Sequence, residues 1–89
     1  MRKRILIVDD EPFNILSMQL NMNNLGINGL SQLIDRAYNG QSAMLKVKEA
    51  YEIGHHIYGL VITDISMPIM DGFQLAEELR IFHRKNKLP

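Results

Sequence analysis

The chain contains no cysteine and no tryptophan, and its ten basic residues are matched by ten acidic ones, for a formal net charge of zero. Without cysteine there is no disulfide, no thiolate metal ligand and no cysteine nucleophile, a pattern that leaves the redox compartment open and fits an intracellular protein. No excess of positive charge is present, and the basic residues are divided between the two ends (Arg2, Lys3, Arg4; Arg84, Lys85, Lys87), so a broad nucleic-acid footprint is not expected. The longest aliphatic run, Ile5–Val8, falls far short of the roughly 20 residues that a bilayer span needs, and the N-terminus lacks the apolar stretch of a signal peptide. Internal repeats, low-complexity tracts and linkers are also missing, so residues 1–89 read as one domain, expected in the cytoplasm with the nucleus left open. A chain of this length buries only roughly 60–65% of the surface that its unfolded form exposes. Its core is thin, and the loss of any element would be felt.

Two short apolar runs are present, Ile5-Leu6-Ile7-Val8 and Leu60-Val61-Ile62, both rich in β-branched residues and both followed within two places by an acid. Continuous runs of this kind suit strands buried on both faces of a parallel sheet. After the first run, Pro12 suits a first helical turn. Phe13, Ile15, Leu16, Met18, Leu20, Met22 and Leu25 then keep three- or four-residue spacing as far as Gly26. A second helix is expected from about Gln41 to Glu52, presenting Ala43, Met44, Val47, Ala50 and Tyr51, with Gly54 beyond its end. A third follows Asp71-Gly72 and presents Phe73, Leu75, Ala76, Leu79 and Phe82. Between the first two helices, residues 32–38 form a weak strand candidate whose Asp35 and Arg36 suit a sheet edge. Strand and helix thus alternate three times, the pattern of a doubly wound α/β domain.

In an open parallel sheet, ligands bind beyond the carboxyl ends of the strands, where the strand order reverses. Asp9, Asp10 and Glu11 close the first strand and Asp64 closes the third, so if these strands are neighbours, three carboxylates converge on one crevice. Two unit charges about 4 Å apart repel by roughly 1 kcal/mol in water and about 4 kcal/mol in protein-like surroundings. Such a cluster calls for a cation or a bound proton, and carboxylate, carbonyl and water ligands describe a hard divalent ion such as Mg2+. The plainer reading is that the first three acids only lead into a helix N-terminus, where acids favour the dipole.

The segment Asp64-Ile65-Ser66-Met67-Pro68-Ile69-Met70-Asp71-Gly72, joined to Ile5-Leu6-Ile7-Val8-Asp9-Asp10-Glu11, resembles the receiver domain of two-component response regulators and hybrid histidine kinases. Asn39-Gly40 followed by Ala43-Met44 is similar to the start of that family's second helix, and Asn14 after the acidic pair is a form often seen in hybrid kinases. The resemblance covers nearly the whole chain. It implies a flavodoxin-like (CheY-like) fold and a phosphoacceptor function: Asp64 would attack the phosphorus of a phosphohistidine on a histidine kinase or histidine phosphotransfer domain, forming 4-aspartylphosphate. By the same resemblance Asp10 is the main side-chain Mg2+ ligand, Asp9 acts largely through water, and Asp64 with the backbone carbonyl of Ser66 completes the set. Ser66 also stands where the family tunes phosphoryl lifetime. Pro68 restricts Met67 to extended backbone, and Gly72 permits backbone angles that other residues resist. Such a domain catalyses at most its own phosphorylation and is not a turnover enzyme.

The other chemistry-bearing residues have plainer readings. His55 and His56 are adjacent and would point apart on a strand, and with His83 they lack zinc-site spacing, so all three are expected on the surface or in loops. Met18, Met22, Met44 and Met70 read as core filler. Gly59, at a position often acidic in the family, reads as a looser turn before the third strand.

A complete receiver has five strand–helix units in sheet order 2-1-3-4-5; this sequence supplies three. The family's Ser/Thr at the end of the fourth strand and Lys at the end of the fifth have no counterpart here, and Lys85 and Lys87, past the third helix, cannot serve as that Lys. The third strand is then expected at an edge, where residues 60–65 offer an open ladder for self-association, and the isolated chain is expected to be molten, aggregating or completed by a partner. Two other readings stand beside the first. One is a degenerate receiver that is not phosphorylated and docks a kinase or phosphotransfer domain through its first helix. The other is a haloacid-dehalogenase-like phosphatase, which needs a second Asp two positions after the first, where this chain has Glu11 followed by Pro12.

Overall fold

A computed structural model describes every residue except Met1, Ser66, Pro68, Ile69 and Pro89. The elements alternate as expected: strand β1 (Arg2–Val8), helix α1 (Pro12–Asn23), a short 3-10 turn (Leu30–Leu33), strand β2 (Ile34–Ala37), helix α2 (Gly40–Glu52), strand β3 (His56–Thr63) and helix α3 (Gly72–Lys85). The three strands form one parallel sheet in the order β2-β1-β3. Strand order therefore reverses at β1, and right-handed crossovers from such a reversal put α1 on one face of the sheet and α2 and α3 on the other.

The side chains of β1 alternate accordingly. Leu6 and Val8 join Ala37 and Tyr58 in the larger core, built with Ala43, Met44, Val47 and Ala50 of α2 and Leu75 and Phe82 of α3. Ile7 points to the other face, where it meets Ile34 and Ile15 of α1, with Ile5, Met18 and Met22 packed around them. Because β1 is buried on both sides, its apolar run is continuous; β2 is the predicted edge strand.

Four expectations need correction. On α1 only Ile15 is buried, with Met18 and Met22 packed beside it. Phe13, Leu16, Leu20 and Leu25 stand in solvent, at 69%, 52%, 54% and 66% exposure. Apolar residues surround this helix on most sides, so three-or-four spacing alone does not choose the buried stripe. On α3, Leu75 and Phe82 are buried and Leu79 packs against them, whereas Phe73 is exposed. The third strand starts earlier than Leu60: it begins at His56 and buries Ile57 and Tyr58. Gly59 lies inside it, since the pairing steps from Arg4↔Tyr58 to Ile5↔Leu60 and leaves Gly59 as the extra residue of a bulge.

Candidate acidic site

The switch point between β1 and β3 holds the predicted acids. The ladder continues one residue past each strand: the Asp9 amide donates to the Ala37 carbonyl at 3.1 Å, and the Asp64 amide to the Val8 carbonyl at 3.0 Å. These bonds fix both backbones in register, so the carboxylates of Asp9, Asp10 and Asp64 emerge together, with one oxygen of each lying within 4.8 Å of the others. Asp9 is partly buried and Asp10 exposed.

Of the three, only Asp9 is satisfied by local donors. Its Oδ1 accepts from the Glu11 amide at 3.0 Å and from the Asn14 side chain at 3.5 Å, which turns the chain from β1 into α1. Glu11 caps that helix by accepting from the Phe13 amide at 3.3 Å, and Pro12 follows in its first turn. The plainer reading of the acids as helix leads thus holds for Glu11 and in part for Asp9. It leaves Asp10 and Asp64, whose carboxylates meet no hydrogen-bond donor and no cation among the described residues. An uncompensated all-oxygen set of this kind matches the donor preference of Mg2+. A crevice of about 160 Å³ opens beside it, lined by Asp9, Asn14, Met18, Ile62, Thr63 and Asp64 among others.

The loop after Asp64 is pressed against the site. The Gly72 amide donates to the Ile65 carbonyl at 2.9 Å, and a Cβ at Gly72 would stand 2.5 Å from the Asp64 carbonyl oxygen, so only glycine allows this approach. Gly40, at the start of α2, is confined in the same way, a Cβ there lying 2.7 Å from the Met70 carbonyl oxygen. Asp71 caps α3 in a reciprocal box: its carboxylate accepts from the Gln74 amide at 2.8 Å and its own amide donates to the Gln74 side chain at 3.0 Å. Ser66 and Pro68, named as a metal-binding carbonyl and a loop-shaping residue, lie outside the described residues. Lys85 ends α3 and is thus about 20 Å along the helix from its beginning at the site, since each residue rises about 1.5 Å.

A second polar group, at the opposite end of the strands, was not read from the sequence. Asp35 of β2 receives both Nε and Nη2 of Arg4 at 2.8 and 2.9 Å, and the Tyr58 hydroxyl at 2.6 Å, so one carboxylate ties all three strands together. Arg4 holds the Asp35 carboxyl below its usual range, against partial burial, and the Tyr58 hydrogen bond adds to the effect. Tyr58 is pushed well above the ordinary phenol value by burial and by its bond to Asp35. His56 is not a loop residue: it opens β3, packs edge-on to Tyr58 with ring centroids 5.6 Å apart, and carries a buried Nε2 with no hydrogen-bond partner among the described residues. His55 is exposed at a turn with φ 54°. A sequence signal existed in hindsight, in that Arg4, Asp35 and Tyr58 each interrupt or flank an apolar run.

Comparison with known proteins agrees with this architecture. Residues 5–89 match the family described as response regulator receiver domain. The sensor protein EvgS of Escherichia coli K12 is 41% identical over 76 residues, which cover 85% of this chain and 5% of that protein. The autoinducer 1 sensor kinase/phosphatase LuxN of Vibrio campbellii is 32% identical over 76 residues, again 85% of this chain and 8% of that protein. Among solved structures, a response regulator receiver protein from Pseudomonas putida superposes with a TM-score of 0.68 at 27% identity, covering 97% of this chain and 63% of that one. The receiver domain of the histidine kinase CKI1 from Arabidopsis thaliana shares the fold, with a TM-score of 0.69 at 22% identity over 98% of this chain and 60% of that one. The chain therefore spans about three-fifths of those two receivers and a small part of the sensor proteins. With its parallel sheet and its acids gathered at the switch point, the chain belongs to the response regulator receiver domain family of two-component systems.

Proposed function

We propose that this chain is a phosphoacceptor in a two-component phosphorelay, with Asp64 as the nucleophile. The observation that carries the reading is the convergence of three carboxylates, two of them without a partner among the described residues, on the switch point of a receiver fold. An oxygen of Asp64 forms the new bond to phosphorus as the phosphorus–nitrogen bond of a phosphohistidine breaks, and the leaving imidazole nitrogen keeps the electron pair and takes up a proton. Asp10, Asp64 and the Ser66 carbonyl would hold Mg2+, with Asp9 reaching it through water. Held there, Mg2+ would supply positive charge to offset that of the phosphoryl group and help to set it in line with Asp64. Asp9, held by Asn14 and the Glu11 amide, keeps β1's end and the start of α1 in place around the site. The phosphodonor is a histidine kinase or a histidine phosphotransfer domain, in keeping with the sensor kinases among the relatives. The action is signalling in the cytoplasm without turnover; no helix of the described residues is long and apolar enough to cross a membrane.

Incubation with Mg2+ and a small-molecule phosphodonor, followed by intact-mass measurement, tests the assignment. One phosphoryl adduct is expected, lost in Asp64→Asn and in the presence of a chelator; an adduct that survives Asp64→Asn refutes it. The exposed Phe13, Leu16 and Leu20 on α1 favour a second reading, an unphosphorylated module that docks a kinase. A folded chain that binds the kinase but never gains the adduct supports that alternative.

A further inference from the structure

The basic residues that the sequence divides between two distant stretches meet in space. Arg2 and Lys3 open β1, and α3 closes on Arg84 and Lys85, with Lys87 just beyond. From its start against Asp64, α3 descends about 20 Å at about 1.5 Å per residue. Along β1 the drop from Val8 to Arg2 is also about 20 Å, at about 3.3 Å per residue. Both clusters therefore reach the end of the molecule opposite the acidic crevice. An edge-on contact of Tyr51 with Phe82, ring centroids 5.7 Å apart, holds the last turn of α3 against that of α2. Arg2, Lys3, Arg84, Lys85 and Lys87 are exposed and form no ion pair among the described residues. The acids at this end are Glu49 and Glu52 in the last turns of α2, and Asp35, which Arg4 already neutralises. Aliphatic side chains stand among these charges. The α1–β2 and α2–β3 connections lie at the same end, and there Leu25, Ile27 and Ile53 are exposed, Ile53 at 74%. The exposed aromatic residues lie at the acidic end instead: Phe13 and Phe73 in the first turns of α1 and α3, and Tyr38 just after β2.

We propose that this basic end is a docking face for an anionic lipid surface, which the protein touches without spanning. Exposed Lys and Arg side chains suit anionic headgroups, and the aliphatic side chains between them suit shallow burial at the boundary of headgroups and acyl chains. A nucleic acid carries the same charge, but single strands are held by stacking on aromatic side chains, and this end exposes none among the described residues. A phosphate backbone also offers Leu25, Ile27 and Ile53 nothing apolar to meet. The charge layout sets the direction of docking as well. An anionic surface attracts the basic end and repels Asp9, Asp10 and Asp64, so the crevice faces away from the lipid and stays open to a phosphodonor. Docking does not depend on phosphorylation of Asp64.

Co-sedimentation with vesicles of phosphatidylcholine alone, or mixed with phosphatidylserine, tests the assignment. Binding to the mixed vesicles is expected to be roughly tenfold or more tighter than to the neutral ones, and to weaken as salt rises. Replacing two charges together, Arg84→Gln with Lys85→Gln, is expected to weaken it by roughly tenfold or more. Arg36→Gln, which removes an exposed charge paired in register with Ile7 and so nearer the acidic end, is expected to leave binding unchanged. The chain has no tryptophan, so Ile53→Trp gives a second readout. Its fluorescence is expected to shift to the blue on mixed vesicles, while that of Phe73→Trp, at the acidic end, stays as it is. No preference for the mixed vesicles, a double variant that binds as tightly as the native chain, or equal shifts from the two tryptophans would overturn the proposal. Tighter binding to double-stranded DNA than to the mixed vesicles would overturn it too, and would assign the face to nucleic acid.

Discussion

Asp64 and Gly72 are eight positions apart in the sequence and touch in space, and the chemistry of one depends on the size of the other. Gly72→Ala forces a Cβ into the Asp64 carbonyl, so the loop must shift; the expected destabilisation is about 1–3 kcal/mol, read by urea unfolding. Asp10→Asn works in the opposite sense. It removes one of three gathered negative charges, so the unfolding midpoint in chelator is expected to rise while Mg2+ affinity, measured by calorimetry, falls at least several-fold. A midpoint that falls would mean that the Asp10 carboxylate has a counter-charge of its own. These residues were legible in the sequence because each combines a revealing type with a revealing place: acids directly after aliphatic runs, and a glycine between an acid and an amphipathic helix. Asp35 has the same type but sits in a short, weakly apolar strand, where a charge reads as solvent exposure. Its partners Arg4 and Tyr58 are 31 and 23 residues away, and no local pattern announces a meeting at that distance.

At the level of elements, the Arg4–Asp35–Tyr58 group ties β2 to β1 and β3, and it makes part of the sheet's stability dependent on pH. Asp35 binds its proton less readily in the folded chain than in the unfolded one. Its contribution is therefore fully present above the ordinary carboxylate value of about 4 and is lost as pH falls through the depressed folded value. Asp35→Asn is expected to reduce stability at neutral pH by about 1 kcal/mol, a modest figure because the pair is partly solvated, and to flatten the acid limb of the stability curve. Tyr58→Phe is expected to give a smaller loss of the same kind. Helix α1 shows where periodicity falls short. Ile15→Ala is expected to cost about 2–5 kcal/mol and Leu16→Ala under about 0.5 in thermal unfolding. Their spacing from neighbouring apolar residues is similar, but only Ile15 lies under the sheet.

Over the whole molecule, the order of elements and the α/β class were readable, because two β-branched runs and three helical stretches alternate without a break. The strand order β2-β1-β3 could be inferred only through the family resemblance, since nothing in a strand's own residues names its neighbour. The extra residues at the start of β3 escaped because His56 and Gly59 mark the interruption of an apolar run in sequence and a bulged strand in space. A cooperative thermal transition from a demonstrated monomer would show that these three strands and three helices fold as one unit.

Every strand pairing in the sheet runs through β1, and β1 is the first of the three strands to be synthesised. It emerges with Ile5–Val8 exposed and finds no partner until β2 has been synthesised, some 26 residues beyond its end, and no second neighbour until β3 follows. At about 5–20 residues per second, that interval lasts seconds. The strand that organises the sheet is thus the one left longest without it during synthesis, and nascent β1 is where a chaperone would act.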